Sequence, residues 1–372
     1  MWLPEAETLE AGPDGAEIDA ALRSVRAEPA VFLLWPRSGS PYLGRTASLR
    51  RRLARLLGPG RESSRRLNLR GVVARVEYWR TGSRLESFLI SWELARRHFP
   101  ETYRKLVKLR MPPYVKLILS RKFPRTQVTS RLTAARAQFF GPFRTRAAAE
   151  RFENEFLDLF QIRRCREDFQ PSPDHPGCIY GEMNRCLRPC QQVVSVEEYR
   201  SEVQRVSEFL ATGGESLLRV VAAARDRLSE ELNFEAAACQ HEQYERIRQV
   251  LRLRDELATD IDRLNGVAVT PSRDNGAVEL WFVAAGCWLP RRRFPLGVVE
   301  GRPVSLDKRL RELIASLDPA PVPLAERQEH LAILARWYYS SWRDGEWLGF
   351  DDFASVPYRK LVNAIHRVAT GS

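Results

Sequence analysis

Four thiols stand close together in this chain. The stretch CREDFQPSPDHPGCIYGEMNRCLRPC, residues 165–190, holds Cys165, Cys178, Cys186 and Cys190, separated by twelve, seven and three residues. Pro171, Pro173, Pro176, Gly177 and Pro189 bar a continuous helix through most of the span, which reads as a loop able to fold back on one point. Disulfides suit it poorly, because a 42.8 kDa chain can build its core without staples and nothing marks this one for an oxidising compartment. Metal coordination is the better account, with four packed thiols as the alternative. Zinc accepts four thiolates and so do the irons of a [4Fe-4S] cluster, and the spacing alone does not choose between them. Cys239 and Cys287 fall in helical and strand-like patterns and are expected in the core.

A second chemistry lies upstream. From Gly44 to Arg75 the chain carries ten arginines (45, 50, 51, 52, 55, 61, 65, 66, 70 and 75) against one acid, Glu62, within a chain of net charge +12. Such a concentration of guanidinium suits phosphate and points to a polyanionic partner, nucleic acid above all. At 372 residues and 44% apolar, the chain is expected to be globular and to form two to four compact units. The acidic N-terminus lacks a basic leader and no 18-residue apolar segment occurs, so a cytoplasmic protein is expected with no membrane contact.

The elements that must position these groups follow from periodicity. AVFLLWPRSGSPYLG, residues 30–44, predicts two strands around a turn at Ser38, Gly39 and Ser40. TASLRRRLARLL then has helical spacing at Leu49, Leu53, Leu56 and Leu57. GVVARVEYW, residues 71–79, predicts a third strand, followed by a helix from about Arg84 to Arg97 that Ser83 could cap. The order is ββαβα.

This region resembles the GIY-YIG nuclease fold and, more narrowly, the N-terminal domain of the UvrC family of nucleotide excision repair nucleases. PAVFLLW stands where that family has P-G-V-Y, YLGRTASLRRRL where it has Y-V-G-K-A-x-N-L-x-x-R-L, and SRLESFLISWEL where it has S-E-x-E-A-L-x-L-E-x-x-L. The resemblance implies a divalent ion, Mg2+ or Mn2+, held by Glu86, water activation aided by Tyr42, and charge neutralisation by Arg52. Arg45, Arg50, Arg51 and Arg55 would contact DNA. Other positions depart from the family: Phe32 replaces a tyrosine, Arg45 a lysine, Leu56 a second helix tyrosine and Tyr103 an asparagine. The implied activity is a single metal-dependent incision on the 3′ side of a lesion, with a DNA-binding and UvrB-binding adaptor as the alternative. A redox protein unrelated to this family finds no substrate-pocket signature.

The resemblance continues through PPYVKLILSRKFPRTQVTSR and FFGPF to the R-C-x-x-P-C ending of the cysteine loop. It implies a [4Fe-4S] cluster on Cys165, Cys178, Cys186 and Cys190, zinc being the alternative. Residues 195–257 are helical in period, and Asn233 is placed to cap the second helix of an antiparallel pair. LNFEAAACQHEQYERIR resembles the UVR motif by which UvrC meets a UvrB-like protein, implicating Phe234, Glu235, Ala237, His241 and Glu242, the last two in place of Arg-Asp. Beyond residue 265 strands in GVAVTP and AVELWFVAAGCWLPRRRFPL precede helices near 306–316, 323–342 and 356–368. The expected fold class is α+β and multidomain. Its parts are an N-terminal extension (1–28), a GIY-YIG-like unit (29–105), a connecting α/β region with the four cysteines (106–194), a helical region with the hairpin (195–260) and a small C-terminal α/β unit (261–372). The role of YYSSWRDGEWLGFDDF, residues 338–353, is not legible, and core or loop is its expected fate.

Overall fold

The computed structural model describes residues 3–10, 15–59, 68–297 and 305–371. Arg61, Glu62, Arg65 and Arg66 of the basic run lie outside the described residues. The protein is α+β, with three antiparallel sheets among the described residues. No described helix is long and apolar enough to cross a membrane.

The first sheet has the order β1-β4-β2-β3. Its elements are β1 (Glu7–Glu10), α1 (Gly15–Ser24), β2 (Ala30–Pro36), β3 (Tyr42–Thr46), α2 (Leu49–Leu57), β4 (Val73–Arg80) and α3 (Arg84–His98). From β2 onward this is the ββαβα order of the sequence pattern. The N-terminal extension supplies β1, which pairs with β4 from Glu7 opposite Tyr78 to Glu10 opposite Arg75. Alternation along β2 divides the two faces. Ala30, Phe32 and Leu34 pack with Leu49, Leu53, Leu56 and Leu57 of α2. Val31 and Leu33 pack with Trp79, Ile90, Leu94 and Leu43 on the α3 side. Gly44 is small for a reason: a Cβ there would fall 2.4 Å from the tip of the Phe32 ring. Ser83 caps α3 as its sequence suggests, its hydroxyl accepting from Glu86 N at 3.0 Å.

After the short α4 (Tyr103–Leu106), the second sheet comprises β5 (Tyr114–Ile118), β6 (Arg125–Thr129) and β7 (Ala137–Gly141), with α5 (Arg146–Leu157) packed on it. Aromatic rings fill that core, Phe140 stacking on Phe152 at 5.2 Å and Phe156 on Phe209 at 5.9 Å. The cysteine loop follows, mostly irregular as its prolines dictate, with one short helix, α6 (Ile179–Glu182). Then come α7 (Val196–Ala211), opened by a reciprocal Ser195–Glu198 capping box, and the hairpin of α8 (Glu215–Glu230) and α9 (Phe234–Leu251). Asn233 caps α9, accepting from Ala236 N at 3.2 Å. Cys239 corrects the sequence reading: it is exposed on α9, and Cys287 is half-buried.

The chain returns through β8 (Thr259–Asp260), which completes the second sheet in the order β6-β5-β7-β8. The last sheet contains β9 (Asn265–Pro271), β10 (Ala277–Ala284), β11 (Cys287–Trp288), β12 (Arg292–Pro295) and β13 (Glu346–Phe350). Helices α10 (Leu306–Ala315) and α12 (Tyr358–Thr370) cover one face of it. On the other face α11 (Leu324–Tyr338) shares a core with α3, bringing Trp92, Trp281 and Trp337 together. α11 stops four residues before the expected 342, where the chain turns into β13, a strand the sequence reading did not include.

Candidate functional site

The basic face is carried by α2 and β3. Four leucines of α2 face the sheet, so helical geometry turns Arg50, Arg51 and Arg55 outward, and all three are exposed. Tyr42 is 41% exposed at the start of β3. Arg52 Nη2 donates to the Tyr42 hydroxyl at 3.2 Å, while Arg52 Nε is buried without a hydrogen-bond partner among the described residues. Two residues singled out from the sequence are therefore side by side, with an unmatched donor in the pair. Arg45 is exposed on the other face of β3, its guanidinium 5.4 Å from the Phe88 ring centroid. Desolvation, and then the like charge of Arg336, hold its pKa below the usual guanidinium range.

Glu86 is elsewhere. Leu43 packs on the α3 side of the sheet, which turns its neighbour Tyr42 to the α2 side, so Tyr42 and Arg52 face away from the helix that carries Glu86. The Glu86 side chain is 1% exposed and both its oxygens are engaged: Oε2 accepts from Gly82 N at 2.8 Å, and Oε1 from Arg291 Nη1 at 2.5 Å. Burial pushes its pKa up to about 7 against the pull of the Gly82 amide and Arg291, and the charge of Glu279 adds to the rise. Ser83-Arg84-Leu85-Glu86 reads as S-x-x-E at a helix start, yet the Glu86 carboxylate reaches one residue beyond the cap, to Gly82 N, and not to the N–H of Ser83. The family pattern quoted above has three glutamates, and the ungapped register places Arg84, Glu86 and Ser91 there. Ser91 is buried and its hydroxyl donates to Ser87 O at 2.6 Å.

The departures from the family are also built in. Phe32 is fully buried beneath Gly44 and Leu56 lies in the α2 core. The Tyr103 hydroxyl donates to Glu329 Oε1 at 2.5 Å. Glu329, which sequence reasoning missed, sits on α11 and is 2% exposed. It also accepts from Trp92 Nε1 at 2.8 Å and from Arg104 Nε at 2.8 Å, so one buried carboxylate joins α3, α4 and α11.

The cysteine loop is fastened to the second sheet's core. Phe169 stacks on Phe123 at 5.7 Å, and Leu187 N donates to Gln161 O at 3.0 Å. Asp158 accepts from Arg164 at 2.5 Å and from Arg185 at 3.0 Å, and lies 3.8 Å from Arg246 of α9. Cys186 and Cys190 are buried, Cys165 and Cys178 half-buried, and all four are free thiols. Burial pushes the Cys186 thiol up to about 11, and the charges that Cys165, Cys178 and Cys190 would carry as thiolates push in the same direction. The four are thus within electrostatic reach of one another. Among the described residues, no three or more His, Cys, Asp or Glu side chains stand as a metal-holding group.

Of the hairpin residues, Phe234, Glu235, His241 and Glu242 are exposed, and Ala237 is buried against α8. Leu232, at the turn, and Phe234 are 73% and 64% exposed, so the hairpin ends in an apolar tip.

The class so defined is an α+β protein with a basic ββαβα unit, a four-thiol loop and a projecting helical hairpin. Residues 113–209 match the family described as UvrC/Cho excinuclease, middle domain, a span that includes the whole cysteine loop. UvrABC system protein C of Acetivibrio thermocellus is 24% identical over 370 residues, covering 95% of this chain and 57% of that protein. Its counterpart in Desulforudis audaxviator is 29% identical over 323 residues, with 83% and 51% covered. That of Lachnospira eligens is 23% identical over 288 residues, with 76% and 47% covered. These matches, over most of the chain, support a member of the UvrC family. The chain spans about half the length of the curated relatives it matches. No solved structure matches it.

Proposed function

We propose that this protein acts on DNA in nucleotide excision repair, and that its ββαβα unit is GIY-YIG-like and takes hold of a phosphodiester at Tyr42 and Arg52. The Arg52–Tyr42 hydrogen bond carries this reading: a half-buried guanidinium holds an exposed phenol beside three outward arginines. The reaction is a single incision on the 3′ side of a lesion. In it Arg52 offsets charge accumulating on the phosphate, and Tyr42 orients water. The hairpin docks a UvrB-like protein through Phe234, Glu235, His241 and Glu242.

A divalent ion would lower the pKa of a bound water and offset phosphate charge. Glu86 as it stands does not fit such an ion, since Arg291 and the Gly82 amide occupy both oxygens. The cysteine loop fits a four-thiolate centre in its donors: the Cys186 and Cys190 thiolates are disfavoured by burial and by the charges of neighbouring thiolates, and a cation would relieve both. Cys165, Cys178, Cys186 and Cys190 would hold a [4Fe-4S] cluster or zinc, whose chemistry would be to fix the fold of the loop.

The second reading is a protein that binds DNA and a UvrB-like partner without cutting. The sealed Glu86, the serine at position 91 and the commitment of Tyr103 to Glu329 favour it. A nicking assay on a site-specifically damaged duplex, with magnesium or manganese and with and without UvrB, decides between them. One cut lost in Arg52→Ala supports incision; salt-dependent binding without a cut supports the second reading; no DNA binding at low salt removes both.

A further inference from the structure

The turn from α11 into β13 carries YYSSWR, residues 338–343, part of the aromatic stretch whose role the sequence left open. Three clefts meet around it. The first, of about 600 Å³, opens between β3 and the start of α3, with Arg45, Arg336 and Trp342 in its wall. Arg336 also lines the second, of about 660 Å³, together with Lys108, Arg110 and Arg144. Arg144 and Tyr339 pass on into the third, of about 710 Å³, where Arg252, Arg343 and Tyr338 complete the wall. The run leads from the N-terminal sheet past α11 to the foot of the hairpin.

Cations outnumber carboxylates in its walls, ten to three. Arg45, Arg110, Arg144, Arg252 and Arg343 have no carboxylate partner within ion-pair distance among the described residues. The acids beside the run are turned to other donors. Asp255 accepts from Arg144 N at 2.7 Å, Glu256 from the Tyr338 hydroxyl at 2.6 Å, and Asp344 from Arg84 N and, at 3.3 Å, from Trp337 Nε1. Aromatic surface alternates with this charge, Arg343 lying 4.8 Å from the Tyr338 ring centroid. A line of cations interleaved with rings is the arrangement that tracks a polynucleotide backbone and stacks its bases. Rings of this kind stack the bases of an unpaired strand, whereas the bases of a duplex are already stacked on one another.

We infer that this groove, walled by Arg110, Arg144, Arg336 and Arg343 with Trp342 and Tyr338, binds a single DNA strand. The inference rests on the reading that the protein acts on DNA, and gives it a second contact surface on the far side of β3 from Tyr42 and Arg52. A strand unpaired near a lesion would pass along the groove toward the hairpin.

The test is fluorescence anisotropy of the full chain with labelled oligothymidine and with a duplex, across a salt series. The triple variant Arg110→Ala, Arg144→Ala, Arg343→Ala alters three exposed side chains. Oligothymidine affinity is expected to fall on the order of 100-fold near 0.1 M salt, and the salt slope to fall by about 2, as for three lost phosphate contacts. Trp342→Leu is expected to cost about 5-fold or more through lost stacking. The control Lys308→Ala, Arg359→Ala, Lys360→Ala makes the same charge change at exposed sites on α10 and α12, across the last sheet, and is expected to bind as the parent does. An equal fall in the control overturns the groove in favour of net charge. A triple variant that binds oligothymidine with unchanged affinity and slope also overturns it and leaves the DNA reading standing. A loss confined to the duplex overturns the single-strand assignment. A parent protein that binds neither probe overturns the DNA reading and the groove together.

Discussion

α2 and α3 flank one sheet and meet different surroundings. α2 buries Leu49, Leu53, Leu56 and Leu57 and leaves Arg50, Arg51 and Arg55 to solvent, with the Tyr42–Arg52 contact at the exposed edge. α3 is apolar on nearly every side, burying Leu85, Phe88, Leu89, Ile90, Trp92 and Leu94, because the sheet takes one flank and α11 with the last sheet takes the other. Polar groups on α3 therefore meet partners from distant sequence, Glu86 with Arg291, Arg96 with Glu326, and the Trp92 indole with Glu329. A carboxylate on such a helix is held as part of the packing, whereas a guanidinium on α2 remains available to a ligand.

The sealed side is where substitution is expected to cost most. Glu329→Ala strands Trp92 Nε1, the Tyr103 hydroxyl and Arg104 around an empty site. A loss of about 4 kcal/mol in urea unfolding is expected, within the range for breaking a buried charge network. A loss below about 1 kcal/mol would show that α11 does not depend on this carboxylate and would collapse the contrast between the two helices.

The same side should carry a pH signature. The folded pKa of Glu86 lies near 7, above the ordinary carboxylate value of 4.5. As pH rises, the unfolded chain releases this proton first, so the contribution to stability falls between about pH 4.5 and 7 and is level above that. The total is of order 3 kcal/mol. Unfolding of the parent and of Glu86→Gln compared at about pH 5 and 7.5 isolates it. The difference between the two proteins should shift against the parent as pH rises; an unchanged difference would mean that Arg291 keeps Glu86 ionised throughout.

What the sequence disclosed divides along the same line. The strands around Gly39, the four leucines of α2, Ser83 and Asn233 as caps, and the hairpin were legible because each depends on neighbours within a turn or two. β1 and β13 were not, because each adds a short strand to a sheet whose other members lie far along the chain. Arg52 beside Tyr42 could be expected from a strand feeding a helix. Arg291 against Glu86 could not, because 205 residues separate them and no local period records the contact.

Packing beneath the open face gives a smaller effect. Gly44→Ala places a methyl 2.4 Å from the Phe32 ring, which is fully buried and has no room to withdraw. About 2 kcal/mol of destabilisation is expected from this overpacking. Joining it to Phe32→Leu, which removes the ring tip, should recover part of the loss. Failure to recover would place the strain in the β2–β3 backbone instead of in the ring.

The smallest stability effect is expected at the rim itself. Arg52 and Tyr42 meet in a hydrogen bond open to water, where the exchange with solvent leaves little net stabilisation, so Arg52→Ala and Tyr42→Phe should each change unfolding free energy by about 0.5 kcal/mol. Their double-mutant coupling should be equally small, while the coupling of Glu86 to Arg291 should exceed it several-fold. DNA affinity should run the other way. Arg52→Ala loses a phosphate donor that the fold does not consume, and duplex binding should weaken with a salt slope reduced by about 1. If instead Arg52→Ala unfolds the protein and leaves the slope unchanged, the open rim is structural and its likeness to a nuclease site is a likeness of fold alone.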